Sequence, residues 1–221
     1  KVDWHLALSD ARIHKLQPQW LIGNNHHLTP FPGEDFQMFE KDLPGQNKSG
    51  LSFQKPSDQL PLETCETMNG SWGFNIKDDN YKSVNKLIHY IVNAAGRNAN
   101  FLLNVGPQPN GIIQEEFRDT LREVGKWMAK YGASIYGTRG NIMPAQDWGV
   151  VTSKGKKVYV HILKDSTQPI VIEGIAGKIK SCRLMGTNKE VKYSQDKNEV
   201  TINLDGIALD EPDTIIEIET K

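Results

Sequence analysis

The first candidates for chemistry are six of the seven carboxylates that lie within or just after one long polar stretch of the sequence, residues 24–60. They are Glu34, Asp35, Glu40, Asp42, Glu63 and Glu66. In barrel enzymes, acids on the loops that leave the C-terminal ends of strands serve as general acids or nucleophiles. A solvated acidic loop without a catalytic role is the plain alternative, because charge-rich loops are common on protein surfaces.

Aromatic and imidazole side chains accompany these acids. They are His26, His27, Phe31, Phe36, Phe39, Trp72 and Phe74. Sugar rings stack their C–H faces on aromatic planes, and sugar hydroxyls bond to His, Asn and carboxylate groups. The combination of acids and flat rings therefore favours a carbohydrate ligand.

The adjacent pair His26 and His27 could also be considered as metal ligands. Adjacent residues of a strand point to opposite faces, and no HxxxH, HExxH or cysteine partner stands near them. We therefore expect no metal site.

Helical and strand-like patterns alternate in the first part of the chain. Trp4, Leu8, Ala11 and Leu16 predict a helix with Asp3 as its N-cap. Short strands are expected over 20–23 and 62–68, with a loop over 24–60 between them. Loops of this length inside a compact domain usually carry function.

Two further helices and one strand follow. Apolar residues from Val84 to Ala95 recur at helical spacing and predict a helix that ends at a left-handed Gly96. A strand is expected over 100–105, and a last helix runs from Phe117 to Tyr131 with Gly132 as its stop. This order is typical of the later part of an α/β barrel or of an open parallel sheet.

The pattern changes at about residue 140, where we place the boundary between domain 1–140 and domain 141–221. Short β-rich runs follow at 149–152, 157–163, 170–172, 179–185, 191–194, 200–204 and 214–218. Runs of this kind, separated by turns, predict an antiparallel β-sandwich.

Composition excludes several classes of protein. Lysine and arginine number 26 against 27 aspartates and glutamates, a formal charge of −1, so nucleic acid is not the expected partner. No apolar run approaches the roughly 20 residues that span a bilayer. Cys65 and Cys182 form neither a disulfide framework nor a CxxC pair.

Several ordered motifs resemble the glycoside hydrolase family 29 α-L-fucosidases. They are 35–40 (DFQMFE), 62–74 (LETCETMNGSWGF), 100–107 (NFLLNVGP), 125–127 (GKW) and 132–138 (GASIYGT). The resemblance spans roughly residues 1–140 and corresponds to the later half of that family's catalytic domain. The region from about 141 onward is similar in position and type to the family's C-terminal β-domain.

The resemblance implies the later part of a (β/α)8-like barrel followed by a β-sandwich. It also implies retaining hydrolysis of terminal α-L-fucose from glycoconjugates, through a covalent glycosyl-enzyme and without metal or organic cofactor. The family's nucleophile is an Asp in a W-x-D-G-like motif upstream of the matched region, and no such motif occurs in these 221 residues. The chain is therefore expected to be the C-terminal part of a longer enzyme, with an N-terminal barrel segment as its missing partner.

Site residues follow from the same resemblance. Glu40 matches the family's acid/base glutamate, with Glu66 and Glu63 as the other candidates, and Trp72 matches an aromatic that closes the sugar pocket. Many relatives carry an Asn-Asp-Arg-Trp-like segment where this chain reads Asn24-Asn25-His26-His27. Asn25, His26 and His27 are therefore the candidates for sugar contact in place of the arginine.

Two other interpretations stay open from the sequence. One is a noncatalytic fucose-binding protein that lacks the nucleophile, and the other is a subunit that associates with a separate N-terminal chain and exposes an apolar edge. Because fucosylated glycans are mostly outside the cytosol, the expected location is periplasmic, secreted or lysosomal.

Overall fold

A computed structural model describes residues 4–140, 142–166, 169–187 and 189–221 of the chain. The chain divides into two compact units. The first contains the residues up to Glu66 together with Ala99–Asn104, and the second contains Thr67–Asn98 and Val105–Lys221. The predicted boundary between residues 140 and 141 stays a prediction.

The first unit contains helix α1 (Leu6–Leu16) and a four-stranded sheet. The strands are β1 (Gly23–Asn24), β2 (Phe36–Glu40), β3 (Leu62–Thr67) and β4 (Ala99–Asn104), in the order β1-β2-β3-β4. Both β1 with β2 and β2 with β3 are parallel pairs. The carboxyl ends of these three strands therefore lie at one edge of the sheet.

Strand β2 was not expected, because the whole of 24–60 was predicted to be loop. Its five residues alternate between half-buried and buried positions, with Gln37 and Phe39 fully buried. A run of only five residues with two polar members is a weak strand signal, and pairing with strands on both sides stabilises it here. Of the predicted strand 20–23, only Gly23 belongs to β1, which extends to Asn24.

Helix α1 begins two residues later than predicted. His5 is its N-cap residue, in the left-handed conformation and without a side-chain capping bond, and Asp3 lies outside the described residues. The predicted apolar face is not buried, since Trp4 is 74% exposed, Leu8 72% and Leu16 66%. Asp10 is instead the buried residue of this helix.

The second unit begins with two helices, α2 (Val84–Gly96) and α3 (Glu115–Tyr131), followed by a 3₁₀ turn at Gly132–Ser134. Ser83 caps α2 by accepting a hydrogen bond from the N–H of Lys86 at 3.2 Å. Both predicted helices are confirmed, but the left-handed residue after α2 is Asn98 rather than Gly96. Gly96 is required for a different reason: a Cβ there would overlap the side chain of Val150.

All seven β-rich runs predicted after residue 140 form strands. They are β5 (Gly149–Lys154), β6 (Lys157–Ile162), β7 (Ile170–Ile172), β8 (Ile179–Leu184), β9 (Tyr193–Asp196), β10 (Glu199–Ile202) and β11 (Thr214–Thr220). They form two sheets, in the orders β5-β6-β11-β8 and β7-β10-β9, and every strand pair is antiparallel.

One hydrophobic core joins these two sheets. It combines Val160, Ile216 and Ile218 from the larger sheet with Ile170 and Ile202 from the smaller, and all five are fully buried. Burial of apolar side chains from both sheets against each other is the main stabilising contribution in this part of the chain.

Candidate functional site

Three side chains share one face of the sheet in the first unit. In the parallel register, Glu40 lies opposite Cys65 and Met38 lies opposite Glu63. Opposed residues of paired strands point to the same side, and residues two apart along a strand do so as well. Glu40, Glu63 and Cys65 therefore lie on one face, with Glu40 at the carboxyl end of β2.

The electrostatic environment of this face favours protonated groups. Burial raises the pKa of the Glu63 carboxyl above its ordinary value. Burial, followed by the negative charge of Glu40, raises the pKa of the Cys65 thiol to about 11. A carboxyl group with a raised pKa is better suited to act as a general acid, whereas a thiol with a raised pKa remains neutral and unreactive.

Glu66 lies on the opposite face of β3. It is one residue from Cys65 along the strand and is buried, with 8% of its surface exposed. The structure thus brings Glu40 and Glu63 to one face of the sheet and places Glu66 on the other.

The loop after β1 is organised around the buried carboxylate of Glu34. Its Oε2 accepts hydrogen bonds from the side-chain amide of Asn24 at 2.9 Å and from the N–H of Phe31 at 2.7 Å. Its Oε1 lies 2.7 Å from Nε2 of His26, whose ring stacks on that of Phe31 with centroids 4.4 Å apart. His26 is therefore engaged within the loop.

The two adjacent histidines contact different carboxylates. His27 has a φ of 61°, and its Nε2 lies 3.9 Å from Oε2 of Glu40. Among the described residues, its buried Nδ1 has no hydrogen-bond partner. Asn25, the third predicted sugar contact, is exposed, whereas the preceding Asn24 is fully buried.

A second buried carboxylate orders the loop between β2 and β3. Asp42 accepts hydrogen bonds from the N–H of Lys48 at 2.8 Å, from the N–H of Ser49 at 3.1 Å and from the Ser49 hydroxyl at 2.6 Å. Burial alone would raise the pKa of Asp42, but these hydrogen bonds outweigh it and the pKa is lowered. The hydroxyl of Thr64 donates to the carbonyl of Asp42, which ties the start of the loop to β3.

Trp72 lies in the second unit, in a turn held by Asp78. Oδ2 of Asp78 accepts hydrogen bonds from the N–H of Gly70 at 3.0 Å and from the Ser71 hydroxyl at 2.6 Å. The side chain of Trp72 is partly exposed, at 37%. These bonds fix the backbone on the N-terminal side of Trp72 and present its ring at the surface of its unit.

No group of three His, Cys, Asp or Glu side chains within 4–140, 142–166, 169–187 and 189–221 is arranged to hold a metal ion. In the same ranges, no helix is both long enough and apolar enough to cross a membrane.

Sequence reasoning did not single out Asn24 or the structural roles of Glu34 and Asp42. A signal was present for Asp42, because an Asp followed by Pro, Gly, Asn and Ser residues is typical of a loop closed by side-chain to backbone bonds. No local pattern indicated that Glu34 would be buried, since its partners stand three, eight and ten residues before it.

Comparison with known proteins identifies the family. A family model described as Alpha-L-fucosidase matches residues 1–133. The tissue alpha-L-fucosidase of Bos taurus is 30% identical over 138 residues, which cover 60% of this chain and 30% of that protein. The plasma alpha-L-fucosidase of Homo sapiens is 26% identical over 171 residues, which cover 73% of this chain and 36% of that protein.

Solved structures agree with these sequence matches. Alpha-L-fucosidase isoenzyme 1 from Paenibacillus thiaminolyticus superposes with a TM-score of 0.77 at 33% identity, covering 99% of this chain and 54% of that one. A GH29 alpha-L-fucosidase from Bacteroides thetaiotaomicron gives the same TM-score at 22% identity. The match covers 98% of this chain and 52% of that one, and it shows a shared fold.

These matches place the chain among the glycoside hydrolases. It belongs to the alpha-L-fucosidase family, glycoside hydrolase family 29, and corresponds to the C-terminal portion of that family's members. The chain spans about a third of the length of the curated bovine and human relatives and about half of the Paenibacillus structure.

Proposed function

We propose that this chain supplies the acid/base half of a retaining α-L-fucosidase that removes terminal α-L-fucose from glycoconjugates. A retaining mechanism needs two carboxyl groups, one as nucleophile and one that first donates and later accepts a proton. The observation that carries the proposal is the pairing of Glu40 and Glu63 on one face of a parallel sheet, in a chain of this family. The nucleophile is proposed to come from a segment outside these 221 residues.

Glu40 is the proposed acid/base. It ends β2 at the carboxyl edge of the sheet, where parallel α/β folds place their catalytic groups, and it contacts His27. Glu63 is the second candidate, because burial raises its pKa, but it stands at the level of Met38, nearer the amino end of the strands. Glu66 is the least favoured of the three, since it points to the opposite face.

Sugar recognition in the first unit is proposed to involve the loop after β1, and in the second unit Trp72 is a separate candidate. His27 is the strongest of the loop candidates because it lies beside Glu40, and the exposed side chain of Asn25 is free to turn toward a ligand. His26 supports the loop through Glu34 and Phe31, so its proposed contribution is indirect. Trp72 offers a partly exposed ring on which the apolar face of a deoxyhexose can stack.

The fold proposed for the complete enzyme is a (β/α)8-like barrel followed by a β-sandwich, with the boundary near residue 140. The parallel pairing of β1 with β2 and of β2 with β3 supports the barrel. The two antiparallel sheets that share one core support the β-sandwich. A fucosylated glycan outside the cytosol is the proposed substrate, which favours a periplasmic, secreted or lysosomal location.

The acid/base assignment is tested in the complete fucosidase that contains this chain, by comparing Glu40→Gln with Glu63→Gln. We expect Glu40→Gln to lower kcat/KM by about 10²–10⁴ for fucosides with poor leaving groups, and much less for activated aryl fucosides that depart without a proton. Glu116→Gln, at an exposed position in the first turn of α3, is the matched control.

The pattern of losses decides between the candidates. A strong dependence on the leaving group in Glu63→Gln, with none in Glu40→Gln, would transfer the role to Glu63. Equal activity of the wild-type and both variant proteins on natural glycans would contradict the proposed chemistry on this face.

A noncatalytic fucose-binding protein is the second candidate function. It would use the same candidates for sugar contact, Asn25, His27 and Trp72, without a nucleophile. Reading the coding sequence upstream separates the two functions, because the binding-protein hypothesis requires that no nucleophile motif precede Lys1. Binding of fucose without turnover by the complete protein would support it.

A further inference from the structure

The backbone that precedes Trp72 is held by the carboxylate of Asp78. Its Oδ2 accepts hydrogen bonds from the N–H of Gly70 at 3.0 Å and from the Ser71 hydroxyl at 2.6 Å. Hydrogen bonds to a charged acceptor are among the stronger ones in proteins. The two residues before Trp72 are therefore both fixed to one point of the second unit.

Gly106, also of the second unit, contacts the backbone on the other side of Trp72. It is buried, and a Cβ atom on it would lie 2.5 Å from the carbonyl carbon of Gly73 and 2.6 Å from the backbone nitrogen of Phe74. Both atoms belong to the peptide bond that joins Gly73 to Phe74. Backbone atoms cannot rotate aside as the tip of a long side chain can, so a side chain at position 106 has to displace one of the two segments.

Space, rather than backbone conformation, explains the glycine at position 106. Its φ angle lies outside the left-handed region, whereas Gly111 in the same loop has φ 82°. Alanine can therefore adopt the backbone conformation of Gly106, and its cost comes from the contact with residues 73 and 74. This contact joins two of the segments that resemble the family, 62–74 and 100–107.

We propose that Gly106 is a positioning residue for the sugar contact of Trp72. Because position 106 has no side chain, its backbone lies against the peptide bond after Gly73, and the Trp72 ring is held between this contact and the bonds to Asp78. The inference rests on the proposed function, in which the ring stacks on the apolar face of fucose. A ring that is already fixed loses little conformational freedom when the sugar binds, which favours affinity.

The test compares the complete fucosidase with its Gly106→Ala variant, by the dissociation constant of L-fucose and by KM and kcat for an aryl α-L-fucoside. The added methyl group displaces the backbone next to Trp72 and moves the ring away from its place against the sugar. We expect fucose to bind about 3–10-fold more weakly, the size of one lost aromatic contact. KM should rise by the same factor with kcat nearly unchanged, because stacking holds the substrate and the transition state alike. Unchanged affinity and KM, or a fall in kcat without a rise in KM, would overturn the proposal.

Gly125→Ala makes the same substitution elsewhere in the second unit and is the matched control. A Cβ at Gly125 meets nothing within 4 Å, so the methyl group should leave the fucose affinity and KM unchanged. Weakening of fucose binding by the same factor in Gly125→Ala would contradict the proposal.

A double-variant cycle separates a role through Trp72 from a general loss of structure. If Gly106 acts through the ring, Gly106→Ala should weaken fucose binding in the wild type but not in a Trp72→Ala background. An equal loss in both backgrounds would show that Gly106 acts by another route, which is evidence against the proposal.

Fluorine NMR of protein labelled with 5-fluorotryptophan gives a readout that does not depend on turnover. The Trp72 resonance is assigned as the one missing from Trp72→Phe. We expect a single narrow resonance in the sugar-free wild type and a shifted or broadened one in Gly106→Ala, so an unchanged resonance in the variant would refute the role of Gly106. If Gly106→Ala does not fold, the wild type still tests the proposal, because several resonances for Trp72 would rule out a fixed ring.

The proposed function and the role of Gly106 can fail separately. If the complete protein neither binds fucose nor cleaves fucosides, the proposed function fails, and the fluorine spectra still decide whether Gly106 fixes the Trp72 ring. If the protein cleaves fucosides but Trp72→Ala binds fucose as tightly as the wild type, the hydrolytic function stands and the positioning role of Gly106 is wrong.

Discussion

At the scale of single residues, the buried and partly buried carboxylates of this chain have two different roles. Glu34 and Asp42 are surrounded by donors and order the loops that follow β1 and β2. Glu63 has its pKa raised because burial penalises its charge. The number of hydrogen-bond donors, rather than burial alone, separates a carboxylate that orders a loop from one suited to donate a proton.

The role of Asp42 can be measured by Asp42→Asn. The substitution leaves donors of Lys48 and Ser49 without a full set of acceptors, so we expect a loss of about 1–3 kcal/mol in the free energy of unfolding. Because the pKa of Asp42 is lowered in the folded state, its stabilisation is present above the unfolded value of about 3.9 and is lost as pH falls through the folded value.

Denaturant unfolding of the wild type and of Asp42→Asn, at neutral and at acid pH, measures the two free energies of unfolding. Asp58→Asn, an exposed carboxylate of the same loop, is the control. A difference between wild type and Asp42→Asn that does not shrink at acid pH would contradict the hydrogen-bonding role.

At the scale of secondary-structure elements, two helical glycines, Gly96 and Gly125, differ in whether their surroundings leave room for a side chain. Gly96 ends α2 where that helix packs on β5, and a Cβ at this position would overlap the Val150 side chain. Gly125 lies within α3 on its exposed side, and a Cβ there meets nothing within 4 Å. The first glycine permits close packing, whereas the second only lowers the stability of its helix.

Alanine at each position should therefore have opposite effects. Gly125→Ala is expected to raise the free energy of unfolding by about 0.5–1 kcal/mol through helix propensity. Gly96→Ala is expected to lower it by about 1–3 kcal/mol, because the added methyl group overpacks the contact with Val150. Thermal and denaturant unfolding measure both, and a stabilising Gly96→Ala would show that α2 can move away from β5 without cost.

At the scale of the whole molecule, the two units differ in how they treat apolar side chains. The second unit buries aliphatic residues of its two sheets in one core. In the first unit, by contrast, large apolar residues are exposed along α1 and in the segments just before and after it. They are Trp4, Leu8, Leu16, Trp20 and Leu21, each at least 59% exposed. Exposure of so many large apolar side chains in one short stretch marks an interaction surface or an aggregation liability.

We expect the 221-residue chain, when produced by itself, to self-associate through this stretch. The double substitution Leu8→Gln and Leu21→Gln should shift the sedimentation profile toward monomer, because these residues are 72% and 74% exposed. Ile76→Gln, at a residue of the second unit that is 84% exposed, is the control and should leave the profile unchanged. A monomeric wild-type chain would contradict the expectation.

Much of the fold was predictable because its signals are local. Seven strands after residue 140, helices α2 and α3, and strand β3 follow from apolar spacing and turn residues. Strand β2 was missed, because its five residues become a strand only through pairing with β1 and β3. Helical spacing of apolar residues predicted helix α1, but it does not show whether the apolar face of a helix is covered by other residues, and this face is exposed.

For the site, the sequence by itself determined the family and the candidate acids, Glu40, Glu63 and Glu66, because residue types and short motifs are local properties of the chain. Only the tertiary structure decided that Glu40 and Glu63 share a face while Glu66 points away, and that Glu34 ties His26 into its loop. The physical reason is that strand register and loop hydrogen bonds join residues distant in sequence. A shift of one residue in register would turn every side chain of a strand to the other face.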